Sequence, residues 1–484
     1  MQRLIDIMRI VTFTMSFTLL FMVIASTFVT SAATMDKLLA ADDLINGDCN
    51  YDGSIDAIDF ALMKQNLMAD GHAYNNLMDL NNDKAVDAID YSIMKQYLLG
   101  RIDSFPDASS SHKWVGTWTA AQQLTEASNM PPSPGLSNNT LRQVVHVSIG
   151  GNQLRMKFSN ECGNLPVNLN SVHLALSAGG SSIQAGTDKA FTFGGKESVT
   201  IPAGKTITSD TLDFSLQKLT NIAVTIYFGS VPSALTGHPG SRTISYIQKG
   251  NSVNALSMPS AVTTEHWYII SGIDVLTENS YKSLVALGDS ITDGRGSTTN
   301  ANNRWTDNLS RLLQQNPATS GVAVLNQGIG GNAVLSGGLG PAASTRFDRD
   351  VLEQNGVRYI IVFEGVNDIG ASSLSTVATN LINAYEEFIT KAHAKNIIVY
   401  GATITPFGGS QYESAVHEQA RQAVNDWIRT SGQFDAVVDF DVAVRNPSDQ
   451  KKLLSTYDSG DHLHLSPAGY EKIAEAVDIS LLTK

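Results

Sequence analysis

Four short stretches in the C-terminal part of this chain hold residues able to carry out acyl chemistry. They are Gly288-Asp289-Ser290, the run from Asn326 to Gly331, Gly365-Val366-Asn367-Asp368 and Asp461-His462-Leu463-His464. A serine hydroxyl is a weak nucleophile alone and needs a neighbouring base. A histidine can take its proton and return it to a leaving alkoxide. A carboxylate can orient that imidazole and stabilise its cation. Glycine N–H groups and an Asn side chain are donor types that stabilise an oxyanion. Residue type leaves choices open: His462 competes with His464, Asp458 with Asp461, and Gly328 or Gly330 with Gly331. Asn367 also suits a helix cap.

The elements that must position these residues are visible as a pattern. "SLVALGDS", "VAVLNQG", "VRYIIVFEG", "NIIVYGATI" and "AVVDFD" are short, mostly apolar runs. Helix-period segments lie between them, around 305–313, 376–395 and 412–430. This alternation predicts parallel strands covered by helices on both faces. Ligands bind outside the carboxyl ends of such strands, where the candidate residues fall. The pattern GxSxG is absent, since position 292 is Thr, and so is an HGGG-type loop.

"GDSITDG", "GVND" and "DHLH", in this order and spacing, resemble the GDSL/SGNH hydrolase family over 281–484. The resemblance implies a flavodoxin-like α/β fold and a carboxylic ester hydrolase that needs no cofactor for catalysis. It assigns Ser290 as nucleophile, His464 as base and Asp461 as the partner of His464. The family's Asp-x-x-His spacing selects this pair over Asp458 and His462. It implies an oxyanion hole made by the Ser290 N–H, the Gly331 N–H and the Asn367 side chain, with Gly331 five residues after Asn326. Ser466-Pro467 reads as a helix cap and first turn that would steady the histidine loop. Asp289 reads as a brace for the nucleophile turn. Arg295, Glu364 and Asp368 lie nearby without an assigned role. No long apolar insertion suggests a lipase lid, which favours short acyl groups.

A second motif concentrates acid near the start. Asp48, Asn50, Asp52, Asp56 and Asp59 fall at positions 1, 3, 5, 9 and 12 of a loop with Gly53 at position 6. Asp79, Asn81, Asp83, Asp87 and Asp90 repeat the spacing 31 residues on, and 11 of 21 aligned positions match. This is calcium-loop spacing, with position-7 carbonyls from Ser54 and Ala85. Position 12 is Asp rather than Glu, and one helix follows each loop, expected at 60–68 and 91–99. Duplicated loop–helix units of this kind resemble type I dockerins over 46–103. The resemblance implies two bound Ca2+ ions and a cohesin domain of a cellulosomal scaffoldin as partner. It assigns cohesin contact to Ala57, Ile58, Ala88 and Ile89, with Lys64-Gln65 and Lys95-Gln96 flanking. Lys84 stands where Gly would take a left-handed turn cheaply, at a cost on the order of 1 kcal/mol, which predicts a weaker second site.

The chain of 484 residues is long enough for several modules. Its net charge of −13 argues against a nucleic-acid partner. Twelve Asp against four Lys/Arg put −8 of that charge in residues 42–103. Arg3 and Arg9, an apolar run and Ser31-Ala32-Ala33 read as a signal peptide over 1–33, hence a secreted protein with no membrane segment after cleavage. Cys49 and Cys162 fall in different modules, so no disulfide framework is expected. "SFPDASSSH" reads as a linker over 104–112. The segment 114–275 alternates in short runs and reads as a jelly-roll-like β-sandwich, with a hairpin expected around Gly150-Gly151-Asn152. Trp114, Trp118 and Trp267 suit either sugar stacking or core packing.

The functional expectation is a secreted cellulosomal esterase that deacetylates plant polysaccharide, such as acetylxylan. Its rivals are a lipase or arylesterase acting on non-carbohydrate esters, and a non-catalytic carbohydrate-binding component of the cellulosome.

Overall fold

The computed structural model describes residues 45–69, 75–81, 86–102, 104–105, 112–373 and 375–483. The leader expected over 1–33 lies outside the described residues. So do Asp83, Lys84 and Ala85 of the second loop and most of the expected linker. The chain divides into two compact units, Met1–Ser111 and His112–Lys484.

In the first unit the helices are Ala57–Met68 and Ala88–Leu98, each starting three residues before the expected position. The cause is a capping box in each repeat. Asp56 accepts from the Ile58 N–H while Asp59 accepts from the Asp56 N–H, and Asp87 and Asp90 do the same. Positions 9 and 12 of each loop therefore also start its helix. Met63, Leu80, Ile93 and Met94 are buried in one small core, and Phe60 stacks on Tyr91 at 4.2 Å.

The second unit begins with strand His112–Thr119, so His112 is already strand rather than linker. Two antiparallel sheets follow. One is built on His112–Thr119, Ile270–Glu278, Gly151–Ser159 and Leu212–Leu216. The other is built on Ser245–Lys249, Asn139–His146, Asn221–Phe228 and Val167–Gly179. Their apolar faces share one core, in which Leu154, Met156 and Phe158 meet Leu141, Val224 and Ile226. Arg155 and Lys157, on the opposite face of their strand, pair with Asp274.

The hairpin expected at Gly150-Gly151 does not form. Asn139–His146 and Gly151–Ser159 belong to different sheets. Val147 and Ile149 continue the buried alternation past the strand end and carry the chain across the core. Gly150 makes the corner, where an added Cβ would lie 2.2 Å from the Leu216 carbonyl oxygen. Trp118 and Trp267 are buried edge to face at 5.0 Å, and Trp114 lies under Arg155 at 4.4 Å. Trp118 and Trp267 are thus core rather than sugar platforms.

The C-terminal part holds a five-stranded parallel sheet. Its order is Val322–Gly328, Lys282–Gly288, Val357–Phe363, Ile398–Ala402 and Ala436–Val438. Val285 and Leu287 point into one core, Leu284 and Ala286 into another, as a strand buried on both faces requires. The main helices are Trp305–Gln315, Val377–His393, Ala415–Thr430 and Pro467–Glu475. The direction of winding reverses beside Lys282–Gly288, so its carboxyl end opens a crevice.

The β-rich and parallel-sheet parts are bonded together. The Gly116 N–H donates to the Asn355 carbonyl at 3.0 Å, Thr119 Oγ1 to the Asn326 carbonyl at 3.1 Å and the Val324 N–H to Ser148 Oγ at 3.2 Å.

Candidate active site

Strand Lys282–Gly288 ends in a turn with no room for a side chain. A Cβ at Gly288 would lie 2.2 Å from Thr292 Oγ1 and 2.7 Å from the Phe363 carbonyl oxygen. Asp289 then caps the short helix Ser290–Asp293 through the Ile291 N–H. Ser290, the first helical residue, is thereby held at the mouth of the crevice.

Ser290 Oγ lies 2.8 Å from His464 Nε2, and His464 Nδ1 lies 2.6 Å from Asp461 Oδ2. Asp461 Oδ1 also accepts the backbone N–H groups of His464 and Leu463. Burial opposes the charge on Asp461, but those N–H groups and the imidazole outweigh it and hold the carboxyl down at about 2. Burial is the main reason the His464 imidazole sits below its usual range. Asp461 pushes the other way, and Arg295 and Arg242 add to the decrease. A neutral imidazole facing a hydroxyl is the state able to accept its proton. His462 and Asp458 instead bond to each other at 2.5 Å, with the His462 side chain exposed. Ser466 Oγ accepts the Gly469 N–H and Pro467 opens the next helix, which anchors the far end of this loop.

Ser290, Gly331, Asn367 and His464 line one cavity of about 390 Å³. Gly331 has φ 71°, which favours glycine. Gly330 lines the same cavity, whereas the Gly328 N–H is taken by Asn326 Oδ1. The Asn367 amide is oriented at both ends: Nδ2 donates to the Asn332 carbonyl at 2.7 Å, and Oδ1 accepts from the Tyr412 hydroxyl at 2.9 Å. One Nδ2 hydrogen remains for another acceptor. This set can accept a hydroxyl proton and stabilise a tetrahedral oxyanion.

The neighbouring residues gain definite places. Asp368 accepts the N–H groups of Val334 and Leu335 and so holds the segment that follows Gly331. Buried Arg346 donates to the Gly288 and Gln327 carbonyls and to Asn332 Oδ1, tying two strand ends to the Gly331 turn. Asp289 is pushed up to about 7, chiefly by burial, with Asp368 and Asp293 adding. Glu364 is pushed up to about 8 by burial, with Arg346 opposing. Arg295 is exposed at the cavity rim.

Sequence reasoning missed several contributors. Asn332 and Tyr412 sit in a turn and before a helix, with no spacing to mark them. His238, Arg242 and Glu126 come from the β-rich part. His238 Nε2 lies 2.9 Å from Asp293 Oδ1, and Arg242 and Glu126 line the cavity. Among them only Asn332 stands directly beside a sequence candidate, Gly331.

The acidic loops present oxygen donors. In the first, Gly53 turns the chain at φ 87°. Asp48 accepts the Asp52 and Gly53 N–H groups, Asn50 Oδ1 the Asp52 N–H, and Asp59 those of Cys49, Asn50 and Asp56. Asp90 repeats the last pattern with Leu80, Asn81 and Asp87. These bonds shape the loops and leave further lone pairs for a hard cation. The donor set therefore fits calcium, although among the described residues no three acidic, His or Cys groups converge into a finished cage. Ala57, Ile58, Ala88 and Ile89 are exposed at the starts of the two helices.

Residues 286–472 match the GDSL-like lipase/acylhydrolase family, and residues 46–99 and 77–110 match the dockerin type I domain. No curated protein matches significantly. Among solved structures, a protein described as lipolytic and of the G-D-S-L family from Desulfitobacterium hafniense DCB-2 is 22% identical, with TM-score 0.32, covering 40% of this chain and 97% of the other. A GDSL-like lipase from Bacteroides thetaiotaomicron VPI-5482 is 17% identical, with TM-score 0.32 and coverages of 41% and 87%. A catalytic mutant of Axe2, an acetylxylan esterase from Geobacillus stearothermophilus, is 19% identical, with TM-score 0.32 and coverages of 41% and 92%. None of these three likenesses is close enough to fix an activity. The family matches place in this chain a GDSL-like lipase/acylhydrolase domain, a carboxylic ester hydrolase, together with a dockerin type I domain near its start.

Proposed function

We propose that this chain is a secreted, cellulosome-associated serine esterase that removes short acyl groups, acetyl above all, from plant cell-wall polysaccharide such as acetylxylan. The observation that carries the mechanism is the line from Ser290 Oγ through His464 to Asp461, at 2.8 and 2.6 Å. Ser290 Oγ attacks the acyl carbon as its proton passes to His464 Nε2. Asp461 holds the Nδ1–H and stabilises the imidazolium. The Ser290 and Gly331 N–H groups and the Asn367 amide receive the oxyanion, each worth about 3 kcal/mol in the transition state. His464 returns the proton to the leaving sugar alkoxide. Water, deprotonated by the same histidine, then frees the acyl group and restores Ser290.

The module plan supports this reading: a signal peptide over 1–33, a dockerin over 46–103, a linker that ends before His112, a β-sandwich from His112 to Glu278 and the hydrolase over 281–484. The strand order of the parallel sheet supports a flavodoxin-like fold. The two facing antiparallel sheets support a jelly-roll-like sandwich. In the dockerin, Asp48, Asn50, Asp52, Ser54, Asp56 and Asp59, and their counterparts Asp79, Asn81, Asp83, Ala85, Asp87 and Asp90, would hold two Ca2+ ions that order the loops. Ala57-Ile58 and Ala88-Ile89 would meet the cohesin of a scaffoldin.

One observation favours a lipase or arylesterase instead. Beyond Asn367 the groove runs on over Leu335, Leu339 and Val377, apolar enough for a longer acyl chain. Acetate release from acetylated hemicelluloses and pectins, set against hydrolysis of esters of increasing acyl length, separates the two. A clear preference for long acyl chains with no acetate release would reject the deacetylase reading. Ser290→Ala retaining wild-type activity on a chromogenic acetate would reject the nucleophile.

A further inference from the structure

The cavity at Ser290 has two walls. One is built by Gly331, Asn367, Tyr412 and His464 of the hydrolase part. The other is built by Gln123, Glu126, Asn129, Arg242 and His266 of the β-rich part. Resting on the esterase reading, we propose that the β-rich part completes the substrate site, with Glu126, Asn129 and Arg242 forming a subsite for the polyhydroxyl sugar chain that carries the ester.

This second wall is fixed, not merely adjacent. A Cβ at Gly240 would lie 1.7 Å from Asp293 Oδ2, so the loop backbone rests directly on the helix that Ser290 begins. Arg304 donates from Nε to the Asp293 carbonyl and also bonds the Ser241 carbonyl. The Asn300 N–H donates to the Arg242 carbonyl at 2.9 Å, and the Ile244 N–H to Asn300 Oδ1 at 2.8 Å. Arg242 itself is held at φ 50°, a left-handed conformation that a non-glycine residue keeps only where its surroundings impose it.

The chemistry of the wall is that of a polyol site. Arg242 reaches Asp293 Oδ2 at 3.3 Å through Nη2, and its side chain stays 28% exposed, so the guanidinium keeps further N–H donors for the cleft. Glu126 is held at both oxygens, by Gln123 Nε2 at 2.5 Å and Asn129 Nδ2 at 2.9 Å. A carboxylate has about four acceptor positions, so about two remain for hydroxyl donors. Sugar hydroxyls both donate and accept, and rigid donors and acceptors on one wall match them. An acyl chain has no use for such groups and finds Leu335 and Val377 in the adjoining groove, which shares Gly331, Leu339 and Asn367 with this cavity. The two halves of the ester thus meet different chemistry.

The test uses the full chain with Glu126→Gln and Asn129→Ala, thermal melting serving as the folding control. Acetate release from acetylated xylo-oligosaccharides is compared with hydrolysis of 4-nitrophenyl acetate, whose alcohol half lacks sugar hydroxyls. We expect kcat/KM on the oligosaccharide to fall at least about ten-fold further than on the aryl ester, mainly through KM. Equal losses on both substrates, or none, overturn the subsite. Calorimetric titration of Ser290→Ala protein with xylo-, manno- and galacturono-oligosaccharides gives a readout without turnover. At least one should bind, and adding Glu126→Gln should weaken it at least about ten-fold. Failure of all three to bind overturns the subsite even if aryl acetate is hydrolysed. Sugar binding by a wild type inert on every ester would instead sink the esterase reading and leave the subsite standing.

Discussion

Asp293, three residues beyond Ser290, is held by His238 from the β-rich part, with Nε2 2.9 Å from Oδ1. His238 Nδ1 lies 2.8 Å from the Ala121 carbonyl oxygen, so this ring links two segments of the β-rich part to the helix that Ser290 begins. Burial opposes the charge on Asp293, but His238, Arg242 and Arg304 outweigh it and hold the carboxyl below its usual range. His238→Ala would leave that buried carboxylate short of a partner. With Arg242 still present, we expect a loss of about 3 kcal/mol, the lower end for a broken buried pair. The helix would loosen with it, so kcat on a chromogenic acetate should also fall. Urea denaturation and initial rates check both, and an unmoved unfolding midpoint would refute the link.

The proposed proton relay from Ser290 to His464 makes a prediction about pH. His464 must be neutral to accept the Ser290 proton, so kcat/KM should fall as pH drops through the imidazole pKa. Burial places that acid limb below the ordinary histidine range. Asp461→Asn keeps the shape but removes the charge that stabilises the imidazolium, so the rate should fall by about 10³–10⁴. A pH–rate profile of the wild type and a single-turnover rate for the variant test this. An acid limb at or above the ordinary histidine value would contradict the burial argument.

The legible parts of the site are those that local sequence can encode. A strand end followed by Gly-Asp-Ser, or Asp-x-x-His before Ser-Pro, places its residues through neighbours a few positions away. Arg242 and Glu126 reach the same cavity, and His238 reaches Asp293 beside it, from strands and turns of another sheet system, and no periodicity links them to Ser290. The hairpin expected at Gly150 fails to form for a related reason. Alternation marks each run as half-buried strand but cannot say that Val147 and Ile149 carry the chain over to the opposite sheet. The early helix starts at Ala57 and Ala88 were legible in principle, since Asp56-x-x-Asp59 and Asp87-x-x-Asp90 spell capping boxes as well as cation ligands.

Glu364 predicts an unusual stability profile. Its carboxyl is buried, with Arg346 Nη2 at 3.6 Å, and burial pushes it up to about 8. Asp289, Asp368 and Asp350 raise it further, against Arg346. Between the ordinary value of 4.5 and about 8 the unfolded chain gives up this proton while the folded chain keeps it. Folding then binds a proton, so stability falls as pH rises through that window, by up to about 1.4 kcal/mol per pH unit. Glu364→Gln removes the titration at constant shape. The variant's denaturation free energy should decline less than that of the wild type between pH 5 and 8. Parallel pH profiles would show that Glu364 is charged in the fold.

The last prediction concerns the duplicated loops. Ile58 and Ile89 are 54% and 55% exposed at equivalent places in their helices, each following an exposed Ala. Neither belongs to the small core of the module, so their apolar surface is available to a partner. If either face can seat a cohesin, replacing Ala57-Ile58 alone or Ala88-Ile89 alone should weaken binding only about two-fold, the share of one of two sites. Replacing both should weaken it more than about a hundred-fold, since each face then lacks its apolar anchor. Calorimetric titration with a cohesin measures this, and a chelator should abolish binding because the oxygen-rich loops position the helix starts that carry these residues. Esterase rates should stay at the wild-type level throughout, since the described residues that line the Ser290 cavity belong to the second unit. A large loss from one single-pair variant, with none from the other, would show that only one face docks.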